Sequence, residues 1–88
     1  MRIWKYDVQL NANFVLEMPK GAKPLCVQMQ GSVPRIWALV DPLQQPVNHR
    51  FWLVGTGHEG AGGMYVGTFQ VPEIGLVFHL FYLGEGDA

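Results

Sequence analysis

The sequence predicts an all-β domain, a small antiparallel β-barrel or sandwich of about seven short strands. Three features carry that expectation. Apolar and polar residues alternate with period two over residues 3–10 and 14–18, no stretch shows a helical period, and proline, glycine or asparagine interrupts the chain between the apolar runs. With 88 residues at 49% hydrophobic content the chain is long enough for one core and too short for two, so a single β domain spanning 1–88 is expected.

Trp4, Tyr6, Val8 and Leu10 alternate with Lys5, Asp7 and Gln9, which predicts a first strand with one buried face. Asn11-Ala12-Asn13 reads as a turn, because asparagine tolerates left-handed backbone, and Phe14, Leu16 and Met18 then resume the alternation to complete a first hairpin. Pro19 to Pro24 is a turn that holds Lys20 and Lys23 outward. Leu25, Val27 and Met29 mark a third strand with a polar, uncharged outer face. Residues 36–40 are continuously apolar, as expected of a central strand covered on both faces, and Trp37 and Phe69 are expected in the core.

Residues 41–49, broken by Pro42 and Pro46, read as a polar connection that leaves His49 in solvent. A fifth strand over 51–54 leads into the glycine-rich residues 55–63, and a sixth over 64–70 contains Gly67, which marks a bulge or a close backbone approach. Residues 71–75 turn into a seventh strand over 76–83, apolar except for His79, and 84–88 form an acidic tail. The whole reads as an antiparallel meander.

Charged residues make up 15% of the chain, against about a quarter in ordinary globular proteins. So little charge, with Val77, Phe81 and Leu83 on a strand that would otherwise face water, predicts a homodimer. The single Cys26 excludes an intrachain disulfide and reads as a buried free thiol. Residues 1–7 do not resemble a signal peptide, and no window reaches the roughly 18 apolar residues of a spanning helix, so a cytoplasmic protein without a membrane partner is expected. All six basic residues precede position 51 and leave the first fifty residues at +3, which is far from the clustered footprint of a duplex nucleic-acid binder.

The chemistry of interest lies in residues 55–63, where five of nine are glycine. Glycine gives up the most conformational freedom on folding, so such a segment is a mobile hairpin tip or is shaped for close backbone approach to something. Gly55, Thr56, Gly57, His58 and Glu59 are therefore the candidate ligand or partner site, with Lys20 and Lys23 as projecting cations and Trp52 and Tyr65 as aromatic contacts. The segment formally matches the glycine pattern of dinucleotide sites, but that pattern needs a helix N-terminus after it, and here a strand follows. The spacings of His49, His58 and His79 match no metal signature, and neither Ser32 nor Cys26 has an activating neighbour in sequence. No catalytic residue, metal or cofactor is expected, and His79 reads as a hydrogen-bonded sheet histidine.

The stretches Ile3-Trp4-Lys5-Tyr6, Met18-Pro19-Lys20-Gly21-Ala22, Trp37-Ala38-Leu39-Val40-Asp41, Gly55-Thr56-Gly57-His58, Tyr65-Val66-Gly67-Thr68-Phe69-Gln70 and Val77-Phe78-His79-Leu80-Phe81 together resemble a family of small proteins common in phage and prophage genomes. The resemblance covers most of the chain and brings no catalytic motif with it. It implies a non-enzymatic binding protein that inhibits or sequesters a host factor, a component or a signalling nucleotide of an antiviral defence system. The partner is then a host protein or a small anionic ligand. A structural or assembly accessory protein of the phage is the alternative.

Overall fold

A computed structural model describes residues 1–60 and 62–86, which form seven strands in two antiparallel sheets. The strands are β1 (Arg2–Asp7), β2 (Asn13–Pro19), β3 (Lys23–Gln30), β4 (Val33–Val40), β5 (Pro46–Gly55), β6 (Met64–Val71) and β7 (Leu76–Glu85). One sheet has the order β1-β4-β3 and the other β2-β5-β7-β6, so the architecture is a sandwich and not a closed barrel. The sheets come closest along β3 and β6, where a Cβ on Gly67 would sit 2.8 Å from Val27 Cγ1. Gly67 also follows a register shift in β6, so it provides both a bulge and a close approach.

The chain order is not a meander. β1 pairs with β4 and β2 with β5, so the first two strands belong to different sheets and make no hairpin. Each of them has a single apolar face, and placing them in opposite layers lets both faces reach one core. Val8, buried and bonded from its N–H to the Pro34 carbonyl at 3.0 Å, starts the passage between layers. β5 is longer than the sequence suggests because Pro46 occupies its first position, opposite Pro19, where the missing N–H does little harm. β7 extends to Glu85, whose carboxylate accepts a bond from Gly21 N–H at 2.7 Å, so the expected tail is partly strand. Asp87 and Ala88 lie outside the described residues.

Both inner faces meet in one core whose centre is Phe51, fully buried, stacked on Phe14 at 5.2 Å between ring centroids and tilted against Tyr82 at 5.3 Å. Ile36, Ala38 and Val40 face it from β4, and Phe69 and Leu80 face it from β6 and β7. Burial alternates along β4, so the unbroken apolar run over 36–40 does not mean two covered faces. Trp37 is half-buried on the outer side of the β1-β4-β3 sheet, beside Cys26 in register, and neither is a core residue. Trp37 is amphipathic enough to cover a sheet face without being enclosed by it.

His49 is the clearest reversal of expectation. It is fully buried, with Nε2 at 3.1 Å and 3.2 Å from the Met18 and Pro19 carbonyls and Nδ1 at 2.8 Å from the Tyr82 hydroxyl. Two carbonyls require Nε2 to carry the proton in the neutral ring, so Nδ1 accepts from Tyr82. Burial, then the nearby Glu85 carboxylate, pushes the Tyr82 phenol above its ordinary 10.0, and burial does the same for Tyr6. A folded pKa above the unfolded one gives stability that is fully present below pH 10 and lost as pH rises through the folded value. Tyr82→Phe is therefore expected to cost about 1–3 kcal/mol at pH 8 by leaving Nδ1 without its donor, and to lose less further stability at alkaline pH than the wild type. Urea denaturation at pH 8 and pH 11 checks both expectations.

Candidate functional site

β5 and β6 do not form a hairpin, because β7 lies between them and pairs antiparallel with both. The two strands are therefore parallel, and the glycine-rich segment must carry the chain back along the length of β7. It starts where Gly55 faces Phe78 and ends where Met64 faces Tyr82. A return of only eight residues, 56–63, has little room above the sheet, and glycine lets the backbone come close. A Cβ on Gly60 would lie 2.5 Å from Trp52 Cζ2, one on Gly62 would lie 3.5 Å from Cζ3, and one on Gly63 would run into the Tyr82 carbonyl oxygen. The segment is thus a crossover seated on the Trp52 indole. Ala61 lies outside the described residues.

Beneath and beside the crossover, the outer face of the β2-β5-β7-β6 sheet presents two rows across three strands. One row is Trp52, Phe81 and Tyr65, and the next is Val54, His79 and Thr68. Tyr65 and Phe81 meet edge to face at 5.7 Å. His79 is held from both sides, with Nε2 2.8 Å from Thr56 Oγ1 and Nδ1 2.9 Å from Thr68 Oγ1, and the Tyr65 hydroxyl bonds Thr68 in turn. A hydroxyl can donate or accept, so this ring is satisfied in either tautomer and as a cation. Held between two threonine hydroxyls, the His79 ring is fixed in orientation on the outer face of the sheet.

His58 stands at the turn of the crossover, its N–H bonded to the Gly55 carbonyl at 3.1 Å and its ring folded against Gly55, where a Cβ would meet Cδ2 at 3.2 Å. Two hollows flank it. The smaller, about 220 Å³, is lined by Thr56, Gly57, His58, Tyr65, His79 and Phe81 among others. The larger, about 580 Å³, opens at the sheet end between Leu10, Trp52, Thr56, His58, Glu59 and Leu76. Leu10 and Leu76 are 50% and 49% exposed there, and Tyr65 is 56% exposed on the other side. No Lys or Arg lines either hollow.

Of the residues singled out in the sequence, Gly55, Thr56, Gly57, His58, Glu59, Trp52 and Tyr65 are brought together around these hollows. Lys20 and Lys23 are not. They follow Pro19 at the Pro46 end of β5, about 30 Å along the strand from Gly55. His79, Thr68, Phe81, Leu10 and Leu76 complete the face and were not among the sequence candidates. Their signal in the sequence is parity: Val77, His79 and Phe81 share one side of β7, but which strands flank that side depends on a pairing the sequence hides.

The family model described as a domain of unknown function, DUF7352, matches residues 1–87. The chain belongs to this family. No curated protein and no solved structure matches it. Among the described residues there is no group of three or more His, Cys, Asp or Glu side chains that could hold a metal, and no helix long and apolar enough to cross a membrane.

Proposed function

We propose that this member of the DUF7352 family is a non-catalytic binding protein whose recognition surface is the glycine crossover and its two flanking hollows. The observation that carries the reading is the combination at one place of exposed apolar and aromatic groups, Leu10, Leu76 and Tyr65, with polar groups held in position, Thr56, Thr68 and His79. Protein interfaces concentrate aromatic anchors beside a few fixed hydrogen-bonding groups, and this face has that composition. The partner is a protein of the host cell, in keeping with the phage resemblance of the sequence, and the binding event inhibits it. A small anionic ligand is the second reading. It is disfavoured because, with no Lys or Arg in either hollow, it rests on backbone N–H groups and His58 alone.

The test is affinity capture from a bacterial host lysate followed by mass spectrometry, with wild type compared against His58→Ala combined with Tyr65→Ala. Both side chains are exposed, so the melting temperature should stay within a few degrees while capture of the specific host protein falls at least about tenfold. Undiminished capture would remove the crossover face from consideration. Recovery of the protein in purified virions, without rescue of phage growth on a restricting host, would favour the assembly role instead.

A further inference from the structure

We infer that β1 is the docking edge for a second copy of this chain, paired antiparallel so that the two β1-β4-β3 sheets continue as one. Among the described residues no strand pairs with the outer edge of β1, and every residue of the strand except Tyr6 is exposed, including Ile3 at 60% and Trp4 at 39%. An open edge with bare ladder groups and apolar side chains is a template for another strand. The grounds expected from the sequence do not apply, because Val77, Phe81 and Leu83 are half-buried beside the crossover. Nor is a core left open: the chain exposes 5312 Å², close to the roughly 5,200 Å² of a compact monomer of this mass. The contact is therefore an added edge, outside the core.

Charge selects the second copy and fixes the register. A two-fold axis through an antiparallel pair keeps the inner faces of both copies on one side, so only residues of like parity meet. Centring the axis on Trp4 places the indole against its own copy on the inner face, Arg2 opposite Tyr6 on the same face, and Ile3 opposite Lys5 on the outer face. No like charges face each other, Arg2 lies over an aromatic ring, and Lys5, whose ammonium reaches across β4 to Gln30 Oε1 at 3.0 Å, leaves the outer face of the seam at Ile3 apolar. Centring on Lys5 would set two lysines face to face, and centring on Ile3 would leave Tyr6 and Asp7 without partners. Centring on Tyr6, although it pairs Lys5 with Asp7, would leave Arg2, Ile3 and Trp4 without partners in the strand. The strand is thus complementary to itself in one register.

Light scattering at about 100 µM chain should give twice the 9.9 kDa chain mass, a high concentration being chosen because a six-residue edge is a small interface. Ile3→Lys sets two cations opposite each other at both ends of the pair and should weaken the dimer at least about tenfold, with the melting temperature unchanged because Ile3 is exposed. Trp4→Cys in a Cys26→Ser background should oxidise to a covalent dimer, since directly opposed Cβ atoms lie within about 4.5–5.5 Å. A mass of one chain at 100 µM, or an Ile3→Lys dimer as tight as wild type, overturns the inference. If the Trp4→Cys chain fails to fold, the Ile3→Lys comparison decides alone.

Discussion

Phe51→Ala is expected to cost about 3–5 kcal/mol and to lower the melting temperature by at least about 12 °C. Phe51 is fully enclosed, and its ring contacts Phe14 and Tyr82 from two other strands of its own sheet, so truncation leaves a cavity walled by side chains that have no free rotamer to fill it. Against a total stability of about 5–15 kcal/mol the loss is a large fraction, and part of the variant should be unfolded at 37 °C. Trp37→Ala is the matching control. The indole is larger than the Phe51 ring, but it lies half-buried on the outer face of its sheet, and its removal should cost only about 1–2 kcal/mol. Thermal unfolding followed by circular dichroism ranks the two. If Trp37→Ala proves the costlier, the inner and outer faces of β4 have been exchanged.

Gly63→Ala should destabilise by about 2–4 kcal/mol although it adds one methyl to a connection. Gly63 sits at φ +74°, and its Cβ would collide with the Tyr82 backbone carbonyl, which is fixed in the ladder between β5 and β6. A flexible side chain could move aside, but a paired strand cannot. Gly57→Ala, at φ +86° with open space around the added carbon, should cost about 1–2 kcal/mol from backbone strain alone. The two glycines are indistinguishable in a free loop, so a clear gap between them in urea denaturation is evidence that the segment is docked. Equal and small effects would return it to a mobile tip.

The strands were legible in the sequence because alternation and punctuation are local. β2 follows the period-two pattern that names it, and Gly67 marks the bulge and close approach of β6. Alternation located β1 and β3 without fixing their buried faces: β1 stops at Asp7 with Trp4 and Leu10 exposed, and a register shift in β3 leaves Leu25 exposed. Topology was not legible. Whether Asn11-Ala12-Asn13 closes a hairpin or passes the chain between layers depends on where β4 and β5 lie, and no nearby residue records that. The same gap in information made the glycine segment look like a costly hairpin tip, when its glycines answer to Trp52, Tyr82 and the crowding above β7. His49 looks exposed in the sequence because its neighbours Pro46 and Asn48 look like loop, while the carbonyls and hydroxyl that satisfy it come from β2 and β7. The site was half visible for a related reason: residues 55–59 announce themselves by composition, whereas His79 and Thr68 become part of it only when β7 is placed between β5 and β6.

The reading of the site depends on the crossover lying on Trp52, and nuclear Overhauser effects in the labelled protein test that contact directly. One Gly60 α-proton takes the direction in which a Cβ would approach Trp52 Cζ2. A cross-peak is expected between that proton and the Trp52 ring proton at Cζ2, with the Gly60 resonance shifted well upfield by the indole ring current. A Gly60 resonance at its free-chain position with no cross-peak to Trp52 would contradict that contact.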